Sequence, residues 1–216
     1  MNTTQLLVAR ILERALNYQW SYQGLGMLRL YLSKDVRVHI WCPRLAVKNV
    51  STIHDHPWDF DSEIVCGWIV NRIWEVKFDG YGRSWKPKKD PSKDPFAVEP
   101  PTHMMGRIRC GEGGGLVPDF VPLPVRLRSR ERSYVAGDKY TEAASLLHES
   151  LPEEGTVTII TRRPKPDPDH AIVCWPIGTE WVSAEPRPAS SNEIEIFANA
   201  ALERMREDAK HADNAK

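Results

Sequence analysis

The chain reads as a mainly β protein, an antiparallel barrel or sandwich with a helix at each end packed outside it. Three observations predict this. Short runs of alternating or continuous apolar residues, separated by turn residues, fill the sequence from Met27 to Pro176. Helical spacing of apolar residues is confined to the two ends. The length of 216 residues suits one decorated domain that buries a core without crosslinks. No repeat recurs at a fixed period.

Residues 1–20 form the expected N-terminal helix. Leu7, Val8, Ile11, Leu12 and Ala15 fall on one stripe, and Thr3 or Thr4 would cap it. Arg10, Glu13 and Arg14 interrupt any apolar core of the kind a signal peptide needs, which makes a cytoplasmic location the expectation. The barrel should span 24–185. It begins with two alternating runs broken at Ser33-Lys34-Asp35, a hairpin. Val36, Val38, Ile40 and Cys42 share one face of its second strand, and Arg37, His39 and Trp41 share the other. A second strand pair reads SEIVCGWIV and NRIWEVKF, with Gly67 marking a bulge or a close backbone approach.

Between Lys86 and Pro124 lie eight of the 17 prolines, so a Pro/Gly-rich insertion is expected at about 79–125. Its GEGGG run lacks the Gly-Lys-Ser/Thr ending of a phosphate loop. Strand-like pieces return at 145–148, 155–162 and 170–176, with turns at 152–155 and 176–180. The C-terminal helix should occupy 190–211, capped by Ser191 or Asn192, with Ile194, Phe197, Ala201 and Met205 on one stripe.

Lysine plus arginine equal aspartate plus glutamate at 29 each, so net charge offers no footprint for nucleic acid or an anionic membrane. The basic cluster at 126–132 reads as a solvated hairpin face. Cys42, Cys66, Cys110 and Cys174 form no CxxC pair, which argues for buried thiols against a disulfide framework or a thiolate zinc site.

The stretch STIHDHPWDF holds two of the seven histidines, His54 and His56. On an extended strand, residues two apart point to the same side, about 6–7 Å apart along the backbone. These rings can therefore share one metal ion while Asp55 points away. A third ligand must come from another strand. His211 lies in the tail, His103 in the insertion and His170 at a strand start, whereas His148 ends the apolar run ASLLH and is the natural choice. His39 could line the site or the outer sheet. Trp58, Phe60, Trp68 and Trp74 could wall a cavity or fill the core.

The set His54-Asp55-His56, then Gly67, then His148 resembles the cupin superfamily, whose members carry an HxH pair, a glycine a short way on, and a later histidine on a second strand motif. The resemblance implies a jelly-roll barrel. The usual cupin glutamate would fall near Phe60 or Asp61 and is missing. A three-histidine site without that carboxylate is similar to the cysteine dioxygenase-like branch, whose SSIHDH resembles STIHDH here. That branch places an arginine on an early strand to grip a substrate carboxylate, and Arg29 sits at the matching spacing. Its late tyrosine would fall near Arg162, and its crosslinking cysteine near Phe60–Asp61. Neither is present, and Arg162 becomes a second candidate for the substrate pocket. The likeness runs over about 27–163.

The resemblance implies a non-haem iron(II) dioxygenase that brings a small thiol or carboxylate-bearing substrate together with dioxygen. Nickel, manganese, zinc or copper would also accept three imidazoles. Cupins also host isomerases, decarboxylases and binding modules without chemistry, so a metal-dependent isomerase or lyase and a metal-stabilised binding domain are the alternatives. By the same analogy the chain would pair as a homodimer.

Overall fold

A computed structural model describes residues 1–77, 100–110, 116–118, 122–163, 170–182 and 186–214. Helix α1 (Thr3–Leu12) leads into β1 (Ser21–Gln23), β2 (Met27–Tyr31), β3 (Val36–Trp41), β4 (Ile53–His54), β5 (Asp59–Cys66) and β6 (Trp68–Lys77). There follow β7 (His103–Cys110), β8 (Leu116–Pro118), β9 (Leu123–Val135), β10 (Lys139–Glu142), β11 (His148–Pro152), β12 (Val157–Arg163), β13 (His170–Pro176), β14 (Arg187–Pro188) and α2 (Ser191–Asn214).

Among the described residues the strands form two sheets, and every pairing is antiparallel. The first runs β10-β5-β12-β3-β2-β1-β14. The second runs β13-β4-β11-β6-β9-β7-β8, and an additional β13–β7 pairing closes six of its strands into a ring. The protein is thus mainly β, with a closed antiparallel barrel and two helices. Closure satisfies backbone groups that an open edge would leave exposed.

Both helices pack on the outer face of the first sheet. Val8, Ile11 and Leu12 of α1 and Phe197, Ala201 and Met205 of α2 bury against Leu28, Leu30, Val38, Ile40 and Val157. The alternation read in β3 holds: Val38, Ile40 and Cys42 enter this core. Arg37, His39 and Trp41 face the other side, where they line a cavity. A second apolar cluster of Ile53, Val125, Leu127, Leu147 and Cys174 lies within the second sheet. Cys42, Cys66 and Cys174 are buried free thiols.

Several boundaries differ from the expectation. Asn2, not Thr3 or Thr4, caps α1: its Oδ1 accepts the Gln5 N–H at 2.9 Å while the Gln5 side chain accepts the Asn2 N–H. Ser190, not Ser191 or Asn192, caps α2, its hydroxyl taking the Glu193 N–H while the Glu193 carboxylate takes the Ser190 N–H. In each case the side chain one residue earlier reaches the N3 amide.

The expected break at Asn71 falls instead at Gly67, between β5 in the first sheet and β6 in the second. There φ is +75° and a Cβ would stand 2.5 Å from the Thr156 hydroxyl, so only glycine lets the chain cross between sheets here. Within 79–125, residues 79–99, 111–115 and 119–121 lie outside the described residues. His103–Cys110 is nonetheless a ring strand between β9 and β13, and β9 begins at Leu123. Among the described residues, no helix is long and apolar enough to cross a membrane.

Candidate metal centre

The chain brings His54, His56 and His148 together between the two sheets. His54 ends β4, His56 follows in the loop, and His148 opens β11 directly opposite His54 in the ladder. His148 therefore starts a strand and does not end one, because Ala144–Leu147 turns before pairing begins. Ring centroids stand 4.8 Å apart for His54–His56, 4.9 Å for His54–His148 and 5.1 Å for His56–His148. One ligand nitrogen from each ring lies within 4.8 Å of the others. Bonds of about 2.1 Å to a common ion would bring these atoms to roughly 3.0–3.4 Å of one another, so the rings must draw together around it.

The outer contacts fit such an ion. A carbonyl oxygen can only accept, so the 2.8 Å contact of His54 Nδ1 with the Thr52 carbonyl fixes the proton on Nδ1. His148 Nδ1 is held likewise by the Leu146 carbonyl at 3.1 Å. Both rings thus present a bare Nε2, as metal-bound histidines do when their second nitrogen is tied to backbone. His56 stacks on Trp58 at 4.2 Å with planes 15° apart. Burial lowers all three imidazole pKa values, His148 to about 3, which keeps the rings in the neutral form that binds metal.

Asp55 points away, as the strand period requires. Its Oδ1 accepts the Ile172 N–H at 2.6 Å and its own N–H reaches the Ile172 carbonyl at 3.0 Å, pinning the loop to β13. Burial pushes its carboxyl up to about 6. The His54–His56–His148 group can hold a metal ion, with donors that are all imidazole.

The rings open into a cavity of about 620 Å³. Arg29 and Arg162, the two arginines singled out in the sequence, both line it. Arg29 Nε donates to the Ser21 hydroxyl at 3.3 Å, and its guanidinium lies 5.0 Å from the Tyr31 ring centre. Arg162 is anchored to the Lys34 carbonyl and pairs with Asp35 at 3.5 Å. Sequence reading placed Arg37 on the face of His39 and Trp41 but did not single it out for the site. It is buried in the same wall, 4.7 Å from the Tyr31 ring centre and 5.1 Å from that of Trp58. Burial lowers its pKa to about 10, with the repulsion of Arg162 and Arg29 acting the same way.

His39 lines the cavity, with its Nε2 buried and without a hydrogen-bond partner. Of the four aromatic residues, Trp58 and Phe60 wall the cavity, Trp68 is exposed and Trp74 packs on the second cluster. Tyr140 of β10 also lines it, and no spacing pattern in the sequence pointed there. His103 faces Trp74, and His170 pairs with Arg109 at the start of β13.

Compared with protein-family models and with curated proteins, the chain matches none.

Proposed function

We propose that this chain is a cupin-type mononuclear iron(II) dioxygenase that oxidises the thiol of a small carboxylic acid. The observation that carries the reading is the three-imidazole group, with no carboxylate among its donors, opening into a cavity walled by guanidiniums. Two facing antiparallel sheets with the site between them support the jelly-roll assignment.

When bound, iron(II) would supply open coordination positions for thiol and dioxygen and exchange electrons with both. The protein's own residues do the rest. His54, His56 and His148 would hold the ion, the first two set by the HxH loop and the third by β11. Arg29 orients the substrate by gripping its carboxylate with a two-pronged hydrogen bond. Phe60, Ile69 and Val173 give the cavity apolar wall that displaces water around the sulfur. The overall change is R–SH + O2 → R–SO2H: both oxygen atoms form bonds to sulfur, which loses four electrons to dioxygen, and the thiol proton ends on the sulfinic acid.

The test is anaerobic purification, iron loading, and oxygen uptake with L-cysteine and 3-mercaptopropionate. Stoichiometric uptake with sulfinate as product is expected with at least one of them. No uptake with either of these monocarboxylic thiols, nor with mercaptosuccinate, at full iron occupancy, removes thiol oxidation. Turnover of a sugar or keto acid without oxygen would place the chain among the isomerases or lyases instead.

A further inference from the structure

We infer that the acid taken by this site is a dianion carrying two separate carboxylates, one for Arg29 and one for Arg37. The inference rests on the cavity being the substrate site proposed above, and it adds the charge and number of the groups recognised.

Three guanidiniums line one cavity beside the three histidines. Their charges are not equally compensated. Arg162 is neutralised by Asp35 at 3.5 Å and anchored by the Lys34 carbonyl. Among the described residues neither Arg29 nor Arg37 makes an ion pair: Asp35 attracts Arg37 only from beyond that distance, and the hydrogen bond of Arg29 goes to the neutral Ser21 hydroxyl. Arg37 is 7% exposed, its Nε is buried without a hydrogen-bond partner among the described residues, and the rings of Tyr31 and Trp58 lie 4.7 and 5.1 Å from its guanidinium. Among the described residues, the one carboxylate in the cavity wall, Asp55, is turned to the Ile172 amide.

Two unpaired cations held in one partly dehydrated wall repel each other and have lost water, a cost that a fold tolerates where a ligand offsets it. A single carboxylate would leave one surplus positive charge. Two carboxylates balance the pair, each meeting a planar fork that suits it. Both guanidiniums lie about the ring of Tyr31, and Arg37 also lies 5.1 Å from the ring of Trp58, which stacks on His56, so the two acid-binding positions share the wall that leads to the histidines.

Calorimetric titration of the full chain, at fixed ionic strength and with metal content recorded, compares glutarate with pentanoate and succinate with butyrate. The diacids should bind at least about tenfold more tightly than the monoacids of equal length. Arg37→Gln should erase that preference while leaving metal content unchanged, and Arg37→Lys, which keeps the charge, should retain part of it. A wild-type preference below tenfold, or one that Arg37→Gln leaves intact, overturns the inference. Failure of oxygen uptake would not touch this result, since the titration reads anion binding alone and metal content is measured beside it.

Discussion

At positions 54 and 148 the protein sorts its ring nitrogens before any ion arrives. Backbone carbonyls at 2.8 and 3.1 Å hold the Nδ1 protons of His54 and His148, so Nε2 faces the centre. Elemental analysis of purified wild type should show one transition metal per chain. Two imidazoles hold such an ion weakly, so His56→Ala should lose at least the roughly 10–100-fold in affinity that removal of even an outer-shell partner costs. Equal metal in both proteins would sink the centre. These histidines were legible because a two-residue spacing on extended chain has one geometric meaning, and because His211, His103 and His170 fell in the tail, the insertion and at a strand start; His39, inside a strand, stayed open. Arg37 was only half legible. Alternation shows which residues share a face, but not whether that face meets a cavity or a second sheet. Tyr140 was not legible, since a four-residue strand between turns carries no periodic signal.

At the scale of elements, the helices and the first hairpin were readable from local patterns, while the partition of strands between sheets was not. Pairing is non-local: β5 joins β10 and β12, and β6 joins β9 and β11, though the two are contiguous in sequence. Prolines likewise hid β7, a ring strand inside a segment whose composition resembles a loop. Helix α2 depends on a local clamp. Arg187 pairs with the Glu193 carboxylate at 2.9 Å, and the same carboxylate accepts the Ser190 N–H. The Arg187 hydrogen bonds hold the Glu193 pKa at about 2, below the ordinary 4.5. A lowered carboxylate pKa stabilises the folded state above about 4.5, and that contribution fades as pH falls toward 2. Glu193→Gln, whose amide oxygen can still accept the Ser190 N–H but carries no charge for Arg187, should therefore lower Tm by up to about 2–4 °C at pH 7, as expected for losing a partly exposed ion pair worth at most about 1 kcal/mol in a chain of this size. The difference between variant and wild type should shrink to nothing near pH 2. A constant difference across that range would show that the carboxylate charge is not what holds the cap.

At the scale of the whole molecule, the candidate centre is placed to couple metal binding to the closure of the fold. Its ligands come from β4, the loop after it, and β11, which lie far apart in sequence and meet only when the second sheet has formed. The unfolded chain has no such arrangement, so an ion binds the native state almost alone and stabilises it by mass action, by about 2.7 kcal/mol when free metal is a hundred times its dissociation constant. For a protein of this length that corresponds to a Tm higher by roughly 5–10 °C. Chelation of the purified protein should remove that increment, and re-addition of metal should restore it. His148→Ala should sit at or below the chelated wild type in Tm and should not respond to either treatment. The first core, where α1 and α2 cover the outer face of the first sheet, shares no residue with the centre, so helical circular dichroism should survive chelation at ordinary temperature. A wild-type Tm that is blind to chelator, in a protein shown to contain metal, would mean the ion sits elsewhere than between these strands.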